Sequence, residues 1–241
     1  MNKTYIDVIN TAQEVTFEKV QGKTVVVIDV LRATSVMTTA IQNNAEQIIP
    51  VLTPEEAFKI KEKIGDKAIL GGERHAELIP GFDYGNSPLS YTSEVIEGKS
   101  LIITTTNGTL AIRNALAADE LLIASFLNAQ AIVNHLRNTE DIILICSGNN
   151  GVYTLEDNLC AGFLISLFEN ESIELQLSDS AISALTLYLS TQADVKKLAS
   201  QGYHYNVLKN KGFNDDLKEC FTKSKFDVVP IWNGKSITKA V

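Results

Sequence analysis

The stretch Val25-Val26-Val27-Ile28-Asp29-Val30-Leu31-Arg32-Ala33-Thr34-Ser35 decides the reading of this chain. A β-branched apolar run of strand length ends in an acid. An arginine stands three positions later, and a helix-start signal follows. The run lacks polar alternation, so it reads as a buried strand of a parallel sheet. Ligands of open α/β sheets bind outside the carboxyl ends of the strands. There Asp29 is a candidate ligand for a divalent metal, and Arg32 a candidate two-point clamp for a phosphate or another anion. A structural ion pair at a strand end is the competing reading, and the stretch alone does not choose between them.

Outward from this strand the chain alternates β-branched runs with helical patterns, the signature of α/β architecture. Strands are expected over 24–29, 47–52, 67–71, 100–105, 120–124, 141–146 and 226–232. Helices are expected over 34–44, 54–64, 108–118, 128–138, 154–169 and 178–190. Thr53-Pro54-Glu55-Glu56 is a helix start, with a threonine cap, an early proline and acids near the positive end of the dipole. Trp232-Asn233-Gly234-Lys235 is a hairpin signal before a last short strand. Residues 77–97 lack periodicity and read as a long ordered loop, a kind of segment that tends to be functional.

The chain also echoes itself. Gly22-Lys23-Thr24-Val25-Val26-Val27-Ile28 resembles Gly98-Lys99-Ser100-Leu101-Ile102-Ile103-Thr104. Ala45-Glu46-Gln47-Ile48-Ile49 resembles Ala118-Asp119-Glu120-Leu121-Leu122, and both copies continue to a further strand ending in glycine. A duplicated β-α-β-α-β unit explains this, as does the general likeness of any two βαβ segments. The expected division is an N-terminal α/β half over 1–97 and a C-terminal half over 98–241. The site is expected between them, and the last strands are free to return to the first half.

The 241 residues are 45% hydrophobic and 21% charged, as in ordinary globular proteins, with a formal net charge of −8. That balance argues against a nucleic-acid surface and leaves room for a basic pocket inside an acidic body. No leader peptide or bilayer-length apolar run is expected. Cys146, Cys160 and Cys220 are odd in number and follow no metal-ligand spacing, so they read as reduced thiols of a cytoplasmic protein.

Four further stretches could carry chemistry. Leu70-Gly71-Gly72-Glu73-Arg74 repeats the acid-plus-arginine theme at another strand tip, against the plainer reading of a glycine turn with a solvated charge pair. Thr104-Thr105-Thr106-Asn107-Gly108-Thr109 is either a cradle of amides and hydroxyls for phosphate oxygens or a plain capping turn. It lacks the lysine and spacing of a nucleotide-binding loop. Cys146-Ser147-Gly148-Asn149-Asn150-Gly151 has Val152 where a cysteine phosphatase needs arginine, so Cys146 reads as an inert core residue. Glu156-Asp157 opens a helix, where acids commonly complement the dipole but can also supply a metal ligand. Asp29 lacks the second aspartate two residues on that an aspartyl-phosphate mechanism uses, because Leu31 stands there. His75, His135 and His204 are scattered and form no paired-histidine zinc motif; His135 sits in a helical pattern and reads as structural, while His75 adjoins Glu73-Arg74 and is a candidate acid–base group or support for one.

Taken in order, these stretches resemble the 2-phosphosulfolactate phosphatase family. The likeness is carried by Val27 to Thr34, Leu70 to Arg74, Gly81-Phe82-Asp83-Tyr84-Gly85-Asn86-Ser87-Pro88, Thr105 to Thr109, Ser147-Gly148, Leu155-Glu156-Asp157, Gly212 to Leu217 and Val228-Val229-Pro230. Gln201-Gly202-Tyr203-His204 follows the family pattern only loosely, and His204 is given no role. The resemblance implies two similar three-layer α/β/α halves and a Mg²⁺-dependent phosphatase. The implied reaction converts 2-phosphosulfolactate to sulfolactate and phosphate on the route to coenzyme M. The expected catalytic residues are Asp29, Arg32 and Glu73. Asp29, with Glu73 or Asp157, is expected to hold Mg²⁺. Arg32, Arg74, Thr105, Thr106, Asn107, Gly108, Ser147 and Gly148 are expected to bind a small anionic phosphorylated substrate. Nucleic acid and membrane are not expected as partners, and a homodimer is left open. A non-catalytic binder of anionic metabolites on the same scaffold is the alternative.

Overall fold

Val25, Val26, Val27 and Ile28 are all fully buried, and successive side chains of this strand enter different cores. Val26 and Ile28 pack with Leu159, Leu164 and Phe168 of the helix Leu155–Asn170. Val25 and Val27 pack with Val36 and Met37 of the helix Ala33–Gln42 and Ala111 of the helix Gly108–Asn114. A strand points successive side chains to opposite faces, so helices cover both sides of the sheet. This is why the run is apolar throughout. The computed structural model describes residues 3–171 and 174–240.

The strands, in chain order, are β1 (Thr4–Ile9), β2 (Thr24–Ile28), β3 (Gln47–Pro50), β4 (Ala68–Arg74), β5 (Glu77–Leu78), β6 (Ser100–Thr104), β7 (Glu120–Ala124), β8 (Asp141–Cys146), β9 (Leu175–Leu177), β10 (Pro230–Trp232) and β11 (Ile237–Lys239). They form one eleven-stranded sheet in the order β5-β4-β6-β3-β11-β10-β7-β2-β8-β1-β9. Strands β4, β6 and β3 make one parallel group, and β7, β2, β8, β1 and β9 another. The β10–β11 hairpin joins the groups by single residue pairs, Ile231 with Leu122 and Ile237 with Ile48.

The order bears on the echo in the sequence. Strand β2 precedes residue 97 yet lies between β7 and β8. Strand β6 follows that residue yet lies between β4 and β3. Outward from the hairpin, one side runs β3, β6, β4 and the other β7, β2, β8. Each pair of matching sequence segments therefore takes an equivalent place on the two sides.

Several boundaries differ from expectation for local reasons. Strand β1 lies inside the sheet, with five residues in register with β8. The strand expected over 226–232 begins only at Pro230, as β10, and proline has no N–H to donate to a ladder. Strand β4 continues through its glycines to Arg74. A Cβ on Gly72, whose φ is +135°, would lie 2.0 Å from the Thr104 carbonyl oxygen, so only glycine lets β4 lie this close to the end of β6. Residues 77–97 hold β5, a short turn over Pro88–Ser90 and the helix Ser93–Ile96. Among the described residues, no helix is long and apolar enough to cross a membrane.

Candidate functional site

The exit of β2 is tightly bonded. The Ala33 N–H donates to Asp29 Oδ1 (3.0 Å), and the Asp29 carbonyl accepts from the N–H (3.0 Å) and hydroxyl (2.8 Å) of Thr34. The carboxylate is thereby fixed against the first turn of the following helix. Gly108 brings the exit of β6 against it. A Cβ there would meet Ala33 Cβ at 2.5 Å and Asp29 Oδ2 at 2.7 Å. Desolvation, then the charge of Asp157, pushes the Asp29 carboxyl well above the ordinary range. Glu73 adds to this, while the Ala33 N–H and Arg32 oppose it.

Asp157 is a latch between strand exits. Its Oδ1 accepts from the Val30 N–H (2.9 Å), and its Oδ2 from the Gly148 N–H (3.1 Å) and the Thr154 hydroxyl (2.9 Å). The neighbouring Glu156 is 2% exposed. Desolvation raises the carboxyls of both, and each lies in the field of another acid: Asp157 in that of Glu156, and Glu156 in that of Asp29. Three buried acids thus share one electrostatic neighbourhood, a charge balance that favours a cation nearby.

Arg32 is buried and held on two sides. Its Nη1 donates to Asp216 Oδ2 at 2.5 Å, and its guanidinium lies 4.0 Å above the Phe213 ring. Asp216 Oδ1 accepts from the Ser87 hydroxyl at 2.7 Å. Glu73 accepts the N–H and hydroxyl of Thr106 at Oε1 (3.0 and 3.1 Å) and the Ala76 N–H at Oε2 (2.7 Å), tying β4 to the loop after β6.

These groups surround a cavity of about 170 Å³. That is well below the ~300–1,000 Å³ of sites for drug-sized ligands, so it suits a small polar molecule. Of the residues expected in the site, Asp29, Arg32, Glu73, Thr105, Thr106 and Asn107 line it. The structure does not place the others there. Arg74 spends its guanidinium on the carbonyls of Glu73 and Leu52 and on the Thr104 hydroxyl. The Ser147 N–H donates to the Ile28 carbonyl and the Gly148 N–H to Asp157, so neither amide is open to an anion. Asp157 sits behind the lining, and Gly108 acts by having no side chain.

Three residues that sequence reasoning gave no role belong to this centre. Asn86 lines the cavity, and its buried Oδ1 has no hydrogen-bond partner among the described residues. His204 also lines it, with Nε2 2.8 Å from the Leu31 carbonyl oxygen. Asp216 reaches it through Arg32. The signals were the stretches Gly85-Asn86-Ser87-Pro88, Gly202-Tyr203-His204 and Gly212 to Leu217, whose side chains meet the β2 exit only in the folded chain.

As to a metal, no group of three or more His, Cys, Asp or Glu side chains among the described residues forms a ready-made site. Mg²⁺ needs less: one or two carboxylates, with water and phosphate oxygens completing its shell. Asp29 and Glu73 are the carboxylates in the lining, and the buried acids behind them are short of positive charge. The donor set fits Mg²⁺.

A doubly covered α/β sheet with a carboxylate-and-guanidinium cavity at its strand exits is the architecture of an enzyme for a small anionic substrate. The comparisons narrow that class. The chain belongs to the 2-phosphosulpholactate phosphatase family, whose profile matches residues 9–235. A probable 2-phosphosulfolactate phosphatase of Clostridium novyi (strain NT) is 45% identical over 97% of this chain and 99% of its own length. One from Clostridium perfringens (strain SM101 / Type A) is 46% identical over 93% of this chain and 92% of its own. One from Clostridium botulinum (strain Eklund 17B / Type B) is 39% identical over 97% and 99%.

Proposed function

We propose that this chain hydrolyses the phosphate monoester of 2-phosphosulfolactate, releasing sulfolactate and phosphate, with Mg²⁺ as its cofactor. The family supports the reaction, and the cavity supports the metal. The observation that carries the metal is the charge balance of the site. Among the described lining residues, Arg32 is the sole permanent cation, and it is already paired with Asp216. The substrate brings a phosphate, a sulfonate and a carboxylate into a space that also holds Asp29 and Glu73. Asp29 and Glu73 would hold Mg²⁺, which when bound supplies the missing positive charge to the phosphoryl oxygens.

The protein groups have distinct tasks. Asp216 and Phe213 fix the Arg32 guanidinium, leaving its remaining N–H groups for oxygens of the phosphoryl group. The Thr105 and Thr106 side chains and the Asn107 amide line the same space for the other acidic groups. The phosphoryl group passes directly to water. Asp29 has Leu31 where a partner acid would stand. Cys146 is fully buried, and desolvation and Asp157 push its thiol up, away from the reactive thiolate. A cytoplasmic setting and a place in coenzyme M synthesis go with this reading.

Phosphate release from 2-phosphosulfolactate, with Mg²⁺ titrated into chelator-treated protein, tests it. Release that rises from background with Mg²⁺ supports the reading. Tight binding of the ester without release, at any Mg²⁺ concentration, would make the protein a binder of anionic metabolites.

A further inference from the structure

His204 stands in the cavity wall with one ring nitrogen committed and the other free. Its Nε2 is 2.8 Å from the Leu31 carbonyl oxygen. A carbonyl only accepts, so Nε2 carries a hydrogen and donates it. Nδ1 has no hydrogen-bond partner among the described residues. The ring is thereby held by the β2 exit, next to Arg32, and Nδ1 is the nitrogen left for a ligand.

We propose that His204 is a catalytic residue of this site, the general acid that protonates the ester oxygen as it leaves phosphorus. The proposal rests on the phosphatase reading above. Burial, with Arg32, holds the ring towards its neutral form in the free protein, while the hydrogen bond to the Leu31 carbonyl favours the protonated one. A multiply anionic substrate adds to the favouring side, so its arrival draws a proton onto Nδ1. The balance is then complete. Water oxygen bonds to phosphorus, the phosphorus–ester oxygen bond breaks, and the Nδ1 proton passes to the departing oxygen. The proton released by the attacking water restores the imidazolium. A secondary alkoxide is a poor leaving group, so a proton at this moment matters for a hydroxy-acid ester. Asp29, whose carboxyl burial pushes up, cannot supply it with a metal bound, because ligation needs the carboxylate.

The test compares His204→Gln with wild type on two esters, 2-phosphosulfolactate and p-nitrophenyl phosphate, both with Mg²⁺. Glutamine keeps an amide N–H near the place of Nε2 for the Leu31 carbonyl but carries no transferable proton. The aryl ester leaves as a stable phenolate and needs none. The expected result is a fall in kcat of about 100-fold or more on the alkyl ester and of less than about 5-fold on the aryl ester. Equal losses on both, or no loss, would overturn the role of His204 and leave the phosphatase reading standing. Failure of wild type to release phosphate from either ester removes both. Should the variant not fold, the wild-type protein decides alone. A shallow dependence of kcat/KM on leaving-group acidity across aryl and alkyl phosphates supports proton donation, and a steep one overturns it.

Discussion

Replacing Asp29 by asparagine should separate the needs of the site from those of the fold. The Asp29 carboxyl is held above the ordinary range in the folded chain, chiefly by desolvation and then by Asp157. The folded state therefore binds this proton more tightly than the unfolded state does. That stability is fully present at low pH and is lost as pH rises from the ordinary carboxylate range towards the raised value. Within that window each pH unit costs about 1.4 kcal/mol per displaced carboxyl. Asparagine removes this cost, keeps an oxygen for the Ala33 N–H, and relieves Glu156, which lies in the field of Asp29. In chelator at pH 7.5, Asp29→Asn should therefore be more stable than wild type by about 1–3 kcal/mol, or roughly 2–10 °C in Tm. The variant should also show a flatter fall of Tm between pH 5 and 7.5. Saturating Mg²⁺ should reverse the ranking, since about 1,000-fold excess over Kd adds about 4.1 kcal/mol to a protein that binds it and nothing to one that does not. Thermal unfolding with and without Mg²⁺ across this pH range, read beside phosphate release, is the assay. A variant less stable than wild type at every pH, or one stabilised equally by Mg²⁺, would remove Asp29 as a strained carboxyl and as a metal ligand.

Other substitutions probe separate parts of the account. Asp157→Ala should lower stability by about 2–5 kcal/mol, because it strands the buried N–H groups of Val30 and Gly148; chemical denaturation would show it. Asp216→Ala should destabilise by about 3 kcal/mol or more and raise KM, since it leaves the buried Arg32 guanidinium unpaired and free to turn; denaturation and steady-state kinetics report the two effects. Arg32→Lys should lose at least about tenfold in kcat/KM for want of the planar fork, while Arg74→Lys should stay within about twofold, because its guanidinium serves backbone carbonyls and Thr104. Gly108→Ala should depress both Tm and activity, as its methyl group would press into Ala33 and Asp29.

The chemistry of strand exits was legible because it is local. An apolar run ending in Asp29, a glycine strand ending in Glu73 and a threonine-rich helix start each announce their place without knowledge of the fold. The place of Arg74 outside the cavity lining has a local cause as well. Glu73 and Arg74 are successive residues of one strand, so a cavity that takes the first turns its back on the second. What stayed hidden depends on long-range contact. Asp216 meets Arg32 across 184 residues and His204 meets Leu31 across 173, and no periodicity records either meeting. The sequence shows the acid of Asp157 but not the Val30 and Gly148 amides that its carboxylate accepts from. The placement of β2 and β6 in opposite groups was likewise out of reach, since the sequence shows which strands echo each other but not which ones pair.

Phosphate release by the purified protein from 2-phosphosulfolactate, set against 2-phospholactate under the same conditions and with Mg²⁺ present, decides whether this chain is a phosphatase for the sulfonated ester. The sulfonated ester should turn over with the higher kcat/KM of the two, abolished by chelator and restored by Mg²⁺. Binding of both esters with no phosphate released from either would contradict it.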